Sequence, residues 1–407
     1  MIERRQQSTL KLLLLLAVLL LATLGDLPQG SALTRVSSLT LNPQENLVFT
    51  GVIDPSGTFA YYGTDTDPGI IVKVRLSDLT RVGSTMIQEG PIHAATIDPS
   101  GQYAYFGTDT SPGVIVKIRL SDLERVGNLT LGPGENSPLA ATVDPTGTFA
   151  YFGTETAPGI IVRVRLSDFT LNSTLVLGAG DDRPDSAFID PTSSFLYLPT
   201  FTSPGRLVQV RLSNFSESSA LTLNTGEDSP FGNAFDFANG YAYLGTFTKP
   251  ALVVRIRLPS LTRVDAISLP AQSLRAASLD TTTGSAYFGQ DDGSGGVLVK
   301  VRLSNFTTAE VFTLGAGETY IFSALSDPGR HLVYVGLRTS PSIVVKIDDS
   351  LPITSSQTIS MQSNATISTL QGSSNSNGIP LSVYELVGAA ALVSLILASF
   401  YFLRRRA

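Results

Sequence analysis

The sequence predicts an all-β fold, a seven-bladed β-propeller with four-stranded antiparallel blades. Three observations carry that prediction: one unit of about 45 residues is written seven times, each copy holds four short strand-like segments, and the copies lack the 3.6-residue helical period. The copies are anchored at Asp54, Asp98, Asp144, Asp190, Asp236, Asp280 and Asp327, with spacings of 44, 46, 46, 46, 44 and 47 residues. Seven residues after each anchor stands a tyrosine: Tyr61, Tyr105, Tyr151, Tyr197, Tyr243, Tyr287 and Tyr334. Nine after it stands Gly63, Gly107, Gly153, Gly245, Gly289 or Gly336, with Pro199 as the exception.

The second copy shows the four segments most plainly. The first, 94–97, opens with Ala94 and Ala95; small pairs recur there in the other copies, as an innermost strand requires where seven backbones converge. It runs into Asp98-Pro99-Ser100-Gly101, with Asp and Pro where a type I turn wants them. The second segment is 103–107, followed by a Pro- and Gly-containing loop. The third, 114–120, alternates Val116, Ile118 and Leu120 against Ile115, Lys117 and Arg119, the period of two that marks a strand. The fourth is 125–131. Residues 33–41, Leu-Thr-Arg-Val-Ser-Ser-Leu-Thr-Leu, copy this fourth segment but precede the first unit. They are expected to supply the outer strand of the last blade and so remove an open sheet edge. The competing closer, 353–360, lacks the Arg-Val pair.

The Asp-Pro-x-Gly turn followed by Ala-Tyr-Phe-Gly-Thr, as at Asp98 to Thr108, resembles the YVTN class of surface-layer and quinoprotein-like propeller repeats. The likeness covers the seven units, and Thr108 stands where that class has Asn. The resemblance implies a propeller fold. Seven-bladed lactonases are similar to the same repeat class, which brings a surface hydrolase into consideration.

The termini predict an address. Arg4, Arg5 and Lys11 precede an apolar run at 12–21 and a small-residue Gly30-Ser31-Ala32 pattern, so 1–32 is read as a secretory signal peptide. The propeller is assigned to 33–348 and a Ser/Thr/Asn-rich stalk to 349–380. A transmembrane helix is assigned to 381–403, within which 386–403 carries no charge, and Arg404, Arg405 and Arg406 open a cytoplasmic tail at 404–407. Together these predict a single-pass type I protein with its propeller outside the plasma membrane.

Composition narrows the function. There are 28 Lys and Arg against 34 Asp and Glu, a formal charge of -6, and residues 33–380 alone are more acidic still, so no nucleic-acid partner is expected. Cysteine is absent, which excludes disulfides, thiolate metal sites and a thiol nucleophile; the chain has 2 His and no Trp. No triad, phosphate loop or dinucleotide fingerprint is present, so the expectation is a non-catalytic binding or adhesion module for an extracellular protein or glycan. A structural coat component and a lactonase-like hydrolase are the alternatives. No cofactor is expected beyond a divalent cation at an unassigned site.

Loops joining strand four to the next strand one, and strand two to strand three, emerge on one face around the channel mouth, where ligands bind propellers. The first set carries Glu45, Glu89, Glu135, Asp182, Glu227 and Glu318; the second carries Asp65, Asp67, Asp109, Glu155 and Asp291. This acidic mouth would attract cations, although acids also populate solvated turns. Residues that break the repeat discriminate better between recognition and scaffold. On that logic His93, Arg183, Asp185, Phe201, Phe247, Arg275 and Tyr320 are the ligand-binding candidates. The recurrent Arg75, Arg119 and Arg165 are expected to pair locally with Asp78, Asp122 and Asp168. Asn128, Asn172, Asn214, Asn305 and Asn364 are N-glycosylation candidates.

Overall fold

The computed structural model describes residues 32–350, all of them in strands, turns and loops; no helix occurs among them. Residues 1–31 of the expected signal peptide, the expected stalk beyond residue 350 with Asn364, the membrane span and its tail lie outside the described residues, as does the rival closing segment 353–360. Seven four-stranded antiparallel sheets follow one another in chain order, each meandering from an inner to an outer strand. In the second blade these strands are Ile92–Ile97, Tyr103–Thr108, Val114–Arg119 and Glu124–Thr130.

The ring closes as the sequence predicts. Thr34–Thr40 lies antiparallel to Ile343–Asp348 and is the outer strand of the seventh blade, whose inner strands come from the end of the repeat region. Leu33 and Leu41, at its two ends, are buried. Asp349, placed by the sequence reading at the start of the stalk, is buried here: Tyr287 Oη donates to it at 2.5 Å and Lys300 Nζ at 2.6 Å.

Seven apolar clusters lie between consecutive blades. The one joining blades two and three sets Ala94, Tyr105, Ile115 and Leu131 against Ala150, Phe152, Val162 and Leu166. The one that shuts the ring sets Tyr334 and Val344 against Val48, Tyr62 and Val72. Each fully buried side chain of this kind contributes about 1.5–3 kcal/mol. The repeated tyrosines form part of this packing, all seven buried. The repeated glycines are needed for close approach: a Cβ on Gly107 would come within 2.7 Å of Pro138 Cβ on the next blade.

Local chemistry accounts for the turns. Asp98 accepts the Gln102 and Tyr103 N–H groups at 3.1 and 3.0 Å, and Gly101 takes φ +68° to close the turn. Thr108, buried, accepts the Val114 N–H through Oγ1 at 3.1 Å, and Thr64, Thr154 and Thr246 repeat this bond in other blades. Arg75, Arg119 and Arg165 pair with Asp78, Asp122 and Asp168 at 2.7–2.8 Å, so these arginines are held within their own blades.

Candidate functional site

Three columns of the repeat converge on one end of the channel. Five residues before each anchor, on the inner strands, stand Phe49, His93, Leu139, Asp185, Phe231, Arg275 and Phe322, and all seven line a cavity of about 210 Å³ on the axis. Eleven residues after each anchor stand Asp65, Asp109, Glu155, Phe201, Phe247, Asp291 and Arg338. Seven before each stand Leu47, Pro91, Ser137, Arg183, Ser229, Ser273 and Tyr320. The backbone ties the last two columns together in every blade: the N–H of the +11 residue donates to the carbonyl of the −7 residue, as in Asp109 to Pro91 at 2.8 Å and Phe201 to Arg183 at 3.0 Å. Six of the −7 residues hold φ between 48 and 58°, a left-handed conformation that costs a non-glycine residue about 1–2 kcal/mol. Blade two, where proline forbids it, instead places Gly90 at φ 121°.

All seven candidates chosen because they break the repeat lie on these columns. His93, Asp185 and Arg275 are in the axial ring, Phe201 and Phe247 at +11, and Arg183 and Tyr320 at −7. Phe247 and Tyr320 are exposed on the rim. The blade carrying Arg183 and Asp185 has a shortened inner strand, Phe188–Ile189, with an isolated bridge from Pro184 to Thr200.

An aromatic belt runs round the mouth. Phe49 stacks on His93 at 3.8 Å between centroids and meets Phe322 edge-on at 5.4 Å; Phe231 contacts Phe201 at 4.7 Å and Phe247 at 5.4 Å. The Arg275 guanidinium lies between the two halves, 4.0 Å from the Phe231 centroid and 4.8 Å from those of Phe49 and Phe322. Among the described residues it makes no ion pair or hydrogen bond, unlike its neighbours: Arg183 pairs with Glu155 at 2.5 Å and Arg338 with Asp65 at 2.6 Å. Burial holds the Arg275 pKa below its ordinary value.

Asp185 is the second unsatisfied group. Both its carboxylate oxygens are buried without a hydrogen-bond partner, and burial pushes its pKa up to about 8 against the pull of Arg275 and Arg183. His93 Nδ1, Asn233 Oδ1 and Ser323 Oγ, all on cavity-lining residues, are also buried and unpartnered. Asp291 is raised to about 6 by burial. For Asp65, burial is outweighed by hydrogen bonds from His93 and Arg338, and its pKa falls.

The acidic set of the first loops is largely engaged inside the blades. Glu45 is buried and bonded bidentately by Arg81 Nε at 2.9 Å, Glu227 by Arg263 Nε at 3.0–3.1 Å, and Glu89 and Glu318 pair with Arg125 and Arg35. Glu135 is buried and accepts the Gly132 N–H at 2.7 Å. In blade four the equivalent buried acid is Asp181, paired with Arg206 at 2.6 Å, while its neighbour Asp182 is half-buried. Asn128, Asn172, Asn214 and Asn305 are exposed. His331 is far from this mouth in sequence position, on the opposite turns, 3.6 Å from Asp280.

Sequence reasoning missed Phe49, Phe231, Phe322, Asn233 and Arg338. Aromatic residues inside a strand read as core, and aligning the −5 and +11 columns across the copies exposes Phe49, Phe231, Phe322 and Arg338 as mouth residues; Asn233, three before its anchor, stands where the sister copies carry Gly or Ala.

No protein-family model and no curated protein matches the chain. Among solved structures, hydrazine synthase of Kuenenia stuttgartiensis is similar, with 11% sequence identity and a TM-score of 0.64 over 75% of this chain and 96% of that one. At this identity the likeness shows the propeller fold alone.

Proposed function

We propose that the protein is a non-catalytic recognition module, a cell-surface propeller of the surface-layer repeat kind, single-pass and type I, whose channel mouth takes an anionic group of an extracellular protein or glycan. The observation that carries this reading is Arg275: a cation on the axis, walled by three phenylalanines, that makes no ion pair or hydrogen bond among the described residues, its nearest acids being Asp185 and Asp291, whose own pKa values burial raises. Aromatic walls with a few convergent polar groups are what a ligand cavity requires. A guanidinium whose donors are free in such a site favours a carboxylate, which it can bind through two parallel hydrogen bonds. Asp185, protonated below about pH 8, offers that carboxylate a hydroxyl donor rather than a repelling charge.

Thermal shift of the purified full-length chain in EDTA, with glucuronate and with glucose, tests this. Glucuronate is expected to raise the melting temperature, glucose to leave it unchanged, and Arg275→Met to abolish the response. Equal responses to both sugars, or a glucuronate response that survives Arg275→Met, would contradict it. Ordered lattices of the purified chain would point instead to a coat component, and turnover of lactones lost in His93→Ala to a hydrolase.

A further inference from the structure

We infer that the mouth also holds a divalent transition-metal ion, on His93 Nδ1 and the carboxylates of Asp109 and Glu155. This goes beyond the recognition of an anionic group and stands without it.

One residue that breaks the repeat, His93, meets two acids of the +11 column, Asp109 and Glu155. His93 Nε2 is 2.9 Å from Asp65 Oδ1, a hydrogen bond in which Nε2 donates, so that the neutral ring turns its lone pair out at Nδ1. The ring is held in plane by Phe49, stacked at an interplanar angle of 12°. Its side chain is 10% exposed, and Nδ1 is buried with no hydrogen-bond partner. That lone pair is 3.9 Å from Asp109 Oδ2, and one donor atom each from His93, Asp109 and Glu155 lie within 4.8 Å of one another. Tetrahedral zinc needs donors about 3.3 Å apart, given metal–ligand distances near 2.0–2.1 Å. Asp109, 38% exposed and paired with no Lys or Arg among the described residues, can supply much of that movement by side-chain rotation.

The groups behind the donors are arranged as an outer shell requires. Asp65 orients the histidine and is itself fixed by Arg338 at 2.6 Å; Glu155 is fixed by Arg183 at 2.5 Å. His93, Arg183 and Arg338 each occupy a column position where no sister blade carries the same residue. One imidazole and two carboxylates match the charge of a divalent ion, and the nitrogen donor favours zinc or cobalt over calcium or magnesium. Three protein ligands leave at least one coordination position open.

The test is calorimetric titration of the untagged full-length chain with zinc chloride, beside the visible spectrum on adding cobalt(II). One zinc per chain is expected, with a cobalt d–d band that zinc displaces. His93→Phe installs the residue that Phe49, Phe231 and Phe322 already place in this ring, so folding is expected to survive while zinc affinity falls at least ~10-fold and the cobalt band disappears. Asp109→Asn, at a partly exposed loop, is expected to weaken zinc similarly, and Asp65→Asn by about 10-fold through the histidine's orientation. No zinc binding by the wild type, or zinc binding unaltered by both His93→Phe and Asp109→Asn, would overturn the inference.

Discussion

Asp185 carries the sharpest consequence at the level of single residues. Its carboxyl is raised to about 8 in the folded chain, whereas an unfolded Asp titrates near 3.9, so between those values the unfolded state holds fewer protons. Its contribution to stability is therefore fully present below about pH 4 and declines as the pH rises towards 8. Asp185→Asn is expected to melt higher than the wild type at pH 7.5, by roughly 2 °C or more, with the gap closing at pH 4. Equal gaps at both values would contradict the assignment. The same residue shows what could be read in advance. Asp185, His93 and Arg275 stand out in the sequence as polar residues in a column otherwise held by Phe and Leu, and the structure places all three on the axis. Their partners were not legible, because nothing in the spacing says that Arg338 holds Asp65 or that three phenylalanines surround Arg275.

Among the strands, the N-terminal one shows how a repeated residue differs from a functional one. Arg81, Arg125 and Arg263 lie on outer strands and pair with Glu45, Glu89 and Glu227 of their own blades; Arg35 does the same for Glu318 although some 280 residues separate them. The Arg-Val pair in 33–41 thus marks a fourth strand displaced to the other end of the chain, which is why its role was readable from sequence. The loop acids were less legible. They read as a charged mouth because a sequence does not display burial, yet Glu45, Glu135, Glu227 and Glu318 are almost fully enclosed. Deleting 33–41 removes the buried Leu33 and Leu41, about 3–6 kcal/mol from those two side chains, and leaves Glu318 without Arg35. Chemical denaturation of the truncated chain is expected to show at least that loss; a midpoint equal to the wild type would show that the ring does not depend on this strand.

Across the whole molecule, positions divide by whether the seven blades agree. Where they agree, as at the buried tyrosines and at the glycines that admit the next blade, the side chains join blade to blade. On the −5, −7 and +11 columns, which meet at one mouth, the blades disagree, and there the unpartnered polar atoms of His93, Arg183, Asp185 and Arg338 are found. Closing a ring demands equal wedges, while recognising a ligand demands unequal ones, and the division satisfies both requirements. The most direct measurement restores the repeat at the mouth: His93→Phe, Arg183→Ser and Arg275→Leu combined, each residue taken from a sister blade, with melting temperature and the binding of glucuronate and zinc recorded on one sample. Loss of both ligands with melting unchanged or raised is the expected result. Melting that collapses while either ligand still binds would mean that these residues hold the ring together rather than recognise a ligand.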